Sequence, residues 1–348
     1  MKPETYSSIY ALMNRRCIPY GVNFELIARC NLDCRHCYHV PLSDNVMETF
    51  EVKRVLDELA ALGTLEVTFT GGEPLLRRDF VEIVQYAVET AGFSVKVFSN
   101  LTLLVEETAD ALAALPLNSV ETTILGPDAE SHDALARVSG AFDKTVAAIR
   151  MLKERGVRIN AKTIVMKPNI ARLGEMYRLA DTLGIPFRYD DSLFVESDGR
   201  RRPLALQVPD STIHRLRKRA GGNRPYVPSI YNAGRSIMSI SPDGYVYPYG
   251  AFPISAGSVR SDNKLPLKTI WYDAPVMNML RSIRYDDYDV CKDCGYVLRC
   301  SGCMAMGMGL ASGRTVRCRF ARKKLRKIRR YNHRDTETRI HGDAETRS

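Results

Sequence analysis

Strand-like and helical stretches alternate along the first half of this chain, and that alternation limits the fold more than any other feature. Strand-like runs lie at Val22–Ala28, Glu66–Thr70, Ser94–Ser99, Ser119–Leu125, Val157–Met166 and Pro186–Asp190. Helical stretches lie between them at Phe50–Leu62, Asp79–Thr90, Val105–Leu115, Asp143–Arg155 and Ile170–Leu183. In the first of these, Leu56, Leu59, Ala60 and Leu62 share one helical face. Six strands joined by helical crossovers predict an α/β fold with a parallel sheet and right-handed connections. At 348 residues the chain can bury such a core and still hold one further small domain.

The cysteines point to the chemistry. Cys30, Cys34 and Cys37 form a Cys-x3-Cys-x2-Cys run just after the first strand. Three thiolates can hold three irons of a [4Fe–4S] cube and leave the fourth iron open to a ligand. Zinc, with His36 as a fourth ligand, is the alternative that spacing leaves open. Eight of the nine cysteines fall in two clusters, and Cys17 stands apart, read as a small buried or semi-buried residue with no function. No export signal precedes them and no apolar run approaches the ~20 residues of a membrane span. The cysteines therefore argue for metal ligation in a reducing cytoplasm rather than for disulfides. The second cluster is Cys291-x2-Cys294-x5-Cys300-x2-Cys303, then Cys318 after fourteen residues. A structural zinc knot is the competing reading there.

The first cysteine run resembles the signature of the radical S-adenosylmethionine (SAM) superfamily, with His36 in place of the usual aromatic residue. A second match follows at Glu66–Pro74, which resembles that family's second strand and its Gly-Gly-Glu-Pro turn. By this resemblance His36, Tyr38, Gly71, Gly72, Glu73 and Pro74 lie at the cofactor. The glycines permit close backbone approach, and Glu73 can accept hydrogen bonds from an ammonium group. Val95–Asn100 resembles the third strand, which places Asn100 at SAM. Val120–Gly126 resembles the fourth, with Thr123 supplying a hydroxyl and Leu125 standing where the family has an acid. The segment Ser131-His132-Asp133, then Arg137 and Gly140-Ala141-Phe142, resembles the one whose Arg pairs with the SAM carboxylate, a geometry suited to a guanidinium. The resemblance implies a partial (β/α)6 barrel, with the chemistry at the C-terminal ends of its strands.

The C-terminal part resembles the SPASM extension of these enzymes, a small Cys-rich domain of loops and a hairpin that carries auxiliary [4Fe–4S] clusters. The hairpin is legible at Ser239–Tyr249, where Asp243-Gly244 between alternating apolar residues signals a tight turn. Tyr249 stands where the extension has a cysteine, and Asn223 to Arg235 contains none. The resemblance therefore implies one auxiliary cluster, held by Cys291, Cys294, Cys300 and Cys318, with Cys303 as a further candidate ligand. The expected organisation is a lead-in (1–20), the radical SAM core (21–192), a linker (193–230), the SPASM-like domain (231–320) and a basic tail (321–348).

Function follows from the resemblance. The reduced [4Fe–4S] cluster would cleave SAM to a 5′-deoxyadenosyl radical, which abstracts hydrogen from a peptide or protein substrate during ribosomal peptide maturation. The alternatives are a small-molecule enzyme of cofactor or haem biosynthesis and an RNA-acting protein docked by its tail. Expected partners are a low-potential electron donor such as flavodoxin or ferredoxin and, since about twenty residues precede the first strand, a separate leader-peptide recognition protein. The net charge is +10, and Arg319–Arg330 alone holds eight basic residues and no acid. Such a run suits an acidic partner. Nucleic acid is disfavoured, because no RNA-binding module is legible and the tail has little aromatic interleaving. Asp190 and Asp191, near the end of the sixth strand, face either the active site or a capping role.

Overall fold

In a computed structural model of the chain, residues 3–40, 45–219, 232–250, 252, 254–260 and 265–282 are described. The elements run α1 (Pro3–Arg15), β1 (Gly21–Glu25), α2 (Thr49–Ala61), β2 (Glu66–Thr70), α3 (Phe80–Gln85) continued by a π turn (Tyr86–Thr90), β3 (Ser94–Phe98) and α4 (Glu106–Ala113). They continue with β4 (Ser119–Thr123), α5 (Ala129–Ala136), α6 (Ala141–Glu154), β5 (Ile159–Ile164), α7 (Leu173–Leu183), β6 (Phe187–Asp190) and α8 (Asp210–Arg219). After them come β7 (Ile237–Ile240), β8 (Tyr245–Tyr247), β9 (Gly257–Ser258), α9 (Leu267–Asp273) and α10 (Pro275–Arg281). All six expected strands and all five expected helices are present, most of them one to three residues shorter at an end.

The sheet order is β6-β5-β4-β3-β2-β1-β7-β8-β9. Neighbours from β6 to β7 pair in parallel, and the last two pairings are antiparallel. This is the parallel-sheet core of a partial barrel. Its strands alternate in a way that decides what each face does. Val22, Phe24, Val67, Phe69, Val95, Val97, Val120, Ile159 and Ala161 pack in one core cluster with Val55, Leu56 and Leu59 of α2, Ile83 of α3, Leu112 of α4 and Ile149 of α6. Burying each large apolar side chain contributes roughly 1.5–3 kcal/mol. The intervening residues project to the opposite face, as the two-residue period of a strand requires. In register across that inner face stand Asn23, Thr68 and Lys96, then Thr123, Lys162 and Arg188. A parallel sheet covered by helices on both faces is apolar on both; this one is apolar outside and polar inside.

Two segments differ from the sequence-based expectation. The lead-in forms α1, and Asn14 on it donates to Asn232 Oδ1 (2.8 Å) and Ser236 Oγ (3.0 Å). The segment expected as a linker is built into the core: Leu206, Val208 and Ile213 are buried, Leu206 with Leu125 and Met166 and the other two with Val165 and Met176. Sparse apolar spacing hid both, because each element buries only a few side chains. The hairpin forms as expected, with Ser239 opposite Tyr247 and Ile240 opposite Val246. It does not stand apart from the core, since β7 pairs along β1. Cys291, Cys294, Cys300, Cys303, Cys318 and the basic run Arg319–Arg330 lie outside the described residues. Among the described residues, no helix is long and apolar enough to cross a membrane.

Candidate functional site at the strand ends

The loop after β1 carries Cys30, Cys34 and Cys37, all free thiols. Two contacts hold it at the C-terminal edge of the sheet. On one side it meets the turn after β2, where Gly72 N donates to Ile27 O (2.7 Å) and Glu73 N to Arg29 O (2.9 Å). On the other it meets the C-terminal end of α5, where Asp33 N donates to Ala136 O (3.2 Å) and Arg35 N to Leu135 O (2.9 Å). Arg77 pins the start of the loop, donating through Nη1 to Leu26 O and Met47 O.

Gly71 and Gly72 have a reason other than ligand approach. A Cβ on Gly71 would fall 2.4 Å from Ile27 O, and one on Gly72 would fall 2.1 Å from Arg29 O. Gly71 also has φ +146°, which side-chain-bearing residues rarely adopt. The pair lets the chain carrying the cysteines lie against the turn after β2. Pro74 is buried and opens a short 3-10 turn capped by Glu73. Glu73 is fully buried, and its carboxylate joins the turns after β2 and β3. Oε1 accepts from Leu75 N (3.0 Å) and Ser99 Oγ (2.7 Å), and Oε2 from Asn100 N (2.7 Å). Burial raises its pKa in spite of these donors. In this geometry Glu73 sets the turns after β2 and β3, a use the motif alone did not reveal.

Asn100 braces the cysteine loop. Its Nδ2 donates to Asn31 Oδ1 (2.9 Å) and lies 3.7 Å from Cys30 Sγ, and Leu32 N also donates to that sulfur (3.4 Å). Its Oδ1 accepts from Thr102 N and Oγ1, and Thr102 Oγ1 accepts from Asn31. Thr123 ends β4, half-buried on the inner face. Arg137 has left-handed backbone (φ 59°) after α5 and pairs with Asp33 in the cysteine loop (2.9 Å). His132 is buried and accepts from Leu125 N, and burial lowers its pKa to about 4. Asp133 caps α6 by accepting from Gly140 N and Phe142 N. Asp190 ends β6 and accepts from Ser192 N (2.8 Å). Asn31, Asp33, Arg77 and Ser99 are site residues the sequence did not single out, since each acts through a contact distant in sequence.

The thiols suit a multi-iron cluster. Burial raises Cys34 to about 12, with the charges of Cys37 and Cys30 adding to it. Burial likewise raises Cys37 to about 11. Three thiolates held together this way need a strong cationic partner, and the N–H groups aimed at Cys30 are the donors that cluster sulfurs take. Among the described residues no three His, Cys, Asp or Glu side chains converge on one metal-sized point. His36, the fourth ligand of the zinc alternative, is instead close enough to Lys162 and His132 for their charges to lower its pKa, which burial chiefly sets at about 4.

Beside this loop lies a second cluster. Glu25 ends β1 with His39 Nδ1 3.7 Å away, and burial, then the charge of Asp243, raises its pKa to about 7. Tyr38 packs edge-on against Phe194 with centroids 5.5 Å apart. Tyr249, at the position where the extension has a cysteine, also meets Phe194.

Comparison with known proteins matches this architecture. The chain is 28% identical over 324 residues to the AdoMet-dependent heme synthase of Methanosarcina barkeri, spanning 82% of this chain and 91% of that one. It is 29% identical over 322 residues to the PqqA peptide cyclase of Rhodopseudomonas palustris, spanning 84% of each. Its fold is similar to that of Streptococcus suis SuiB bound to precursor peptide SuiA, with TM-score 0.63 and 17% identity over 86% of this chain and 75% of that one. The model of the Radical SAM superfamily matches residues 24–180, the stretch from β1 to α7 that builds the site. The chain carries a radical SAM domain and is an enzyme of that superfamily.

Proposed function

We propose that this protein is a peptide-modifying radical SAM enzyme. The carrying observation is the likeness to a PqqA peptide cyclase over 84% of both chains, which runs well past the barrel into the C-terminal part. In this reading Cys30, Cys34 and Cys37 hold the [4Fe–4S] cluster, and with SAM bound it supplies an organic radical that abstracts hydrogen from the substrate. The chain's own residues do the rest. Asn100 and Leu32 donate toward Cys30 and steady its sulfur. Glu73 ties the turns after β2 and β3 so that the rim keeps one shape. Arg137 and Thr123 stand at the same rim as candidate contacts to SAM, with His36 and Tyr38 flanking Cys37. The polar inner face offers hydrogen-bonding partners to a peptide backbone or side chain.

The C-terminal cysteines complete the proposal. Cys291, Cys294, Cys300 and Cys318 would hold one auxiliary cluster, with Cys303 in reserve, and the cluster would take the substrate's electron or position the peptide. A low-potential donor of the flavodoxin or ferredoxin kind would reduce the first cluster in a reducing cytoplasm, and a separate protein could present a leader-bearing precursor. The likeness to a heme synthase supports a second reading, a propionate-bearing tetrapyrrole as substrate. Anaerobic incubation with SAM, reductant and either a precursor peptide encoded beside the gene or a tetrapyrrole, followed by mass spectrometry, separates them. A mass change confined to the tetrapyrrole refutes the peptide reading.

A further inference from the structure

Three basic side chains stand on the inner face of the sheet, and two of them are neutralised there. Lys96 pairs with Glu66 (2.8 Å), and Arg188 pairs with Glu121. Lys162, between Thr123 and Arg188 in register, has no carboxylate within ion-pair distance among the described residues. Glu121, the acid nearest in register, is already engaged by Arg188 and by Asn160 Nδ2. Asp190 faces Lys162 only at longer range, and its carboxylate accepts from Ser192 N. The Lys162 ammonium instead lies over the ring of Phe98, 4.1 Å from its centroid. A ring face holds an ammonium without neutralising it, so the charge stays available. A half-buried cation without a counter-ion is costly, and proteins retain such groups chiefly where a ligand completes them. A second observation points the same way. The buried Nδ1 of His36, from the cysteine loop, likewise has no hydrogen-bond partner among the described residues.

We propose that Lys162 anchors a carboxylate group of the substrate on the inner face of the sheet, beneath the loop that carries Cys30, Cys34 and Cys37. One lone ammonium near Glu121 and Asp190 balances a single negative charge. A dianionic phosphate would meet those two acids without a second unpaired cation beside Lys162 on the inner face, where Lys96 and Arg188 are already paired. Under the function proposed above, on which this inference rests for its substrate class, the carboxylate is that of an acidic side chain in the peptide. In the tetrapyrrole reading it is a propionate.

The test is equilibrium dialysis of the reconstituted full chain with SAM, without air. The probes are the capped pentapeptide Gly-Phe-Glu-Phe-Gly and its Gln counterpart, and coproporphyrin and its tetramethyl ester. The carboxylate member of a pair should bind at least about tenfold more tightly than its neutral partner, the range expected for one charge-assisted hydrogen bond. That ratio should fall to one in Lys162→Met and recover in part in Lys162→Arg, which keeps the charge. A ratio that survives in Lys162→Met, or a ratio of one for both pairs in the native chain, overturns the anchor. Weakened SAM binding in Lys162→Met with the probe ratios unchanged also overturns it, because Lys162 would then serve SAM. The two proposals fail separately: a Lys162-dependent preference confined to the porphyrin keeps the anchor and removes the peptide, while peptide binding with a ratio of one in both probe pairs removes the anchor and keeps the peptide.

Discussion

Replacing Gly72 by alanine tests the idea that the two glycines after β2 serve the cysteine loop rather than a ligand. The added Cβ would lie 2.1 Å from Arg29 O and 2.6 Å from Ala28 O, where ordinary non-bonded contact is about 3.5 Å. Both obstacles are backbone, so no side chain can rotate away. Either the chain leading to Cys30 or the turn after β2 must retreat by roughly 1 Å, at about 1–3 kcal/mol for overpacking. The retreat also breaks the bonds from Gly72 N to Ile27 O (2.7 Å) and from Glu73 N to Arg29 O (2.9 Å), each worth about 0.5–1.5 kcal/mol. The expected loss is about 2–6 kcal/mol, read as a lower urea midpoint, with Cys30 displaced and iron lost from the reconstituted protein. Gly174→Ala is the control. It lies in α7 with nothing nearer than 3.9 Å to its Cβ, so it should be neutral or stabilising by up to about 1 kcal/mol. If Gly72→Ala binds native amounts of iron and melts with the native protein, the steric argument is wrong.

Replacing Cys30, Cys34 and Cys37 together by alanine should abolish formation of 5′-deoxyadenosine while circular dichroism is unchanged; residual cleavage would remove these cysteines from the site. Iron analysis should give about eight atoms per chain from two four-iron clusters, and Cys291→Ala with Cys294→Ala should leave about four; zinc in their place would refute the auxiliary cluster. Glu25 ionises near 4.5 when unfolded and near 7 when folded, so between those values the native state alone keeps the proton and stability falls as pH rises. Its side chain is 12% exposed, and the window is worth about 3 kcal/mol. Glu25→Gln should flatten urea-measured stability from pH 5 to 7, and an unchanged slope would count against burial as the cause. Trp271, the sole tryptophan, is fully buried and donates to Cys17 O (2.7 Å), so its fluorescence should report unfolding at the same urea concentration as circular dichroism. An earlier fluorescence transition would mean that α9 detaches before the sheet does.

The sequence by itself determined the sheet and the chemistry. Apolar residues at every second position of Glu66–Thr70 (Val67, Phe69) or Ser94–Phe98 (Val95, Val97) leave little choice but a strand, and three cysteines within eight residues can meet a cluster whatever the rest of the chain does. Both signals are local, which is why they could be read. Tertiary structure decided the uses of the motif residues. Glu73 sits in a motif that suggests a ligand contact, yet its partners Ser99 and Asn100 come from the next strand end, and no spacing rule pairs residues 26 or 27 apart. Lys162 looks like any solvent-facing strand lysine until the register places it between Thr123 and Arg188, over Phe98, with Glu121 already taken. Its charge is left free by what the neighbouring strands do with theirs, and only the assembled sheet brings those strands together.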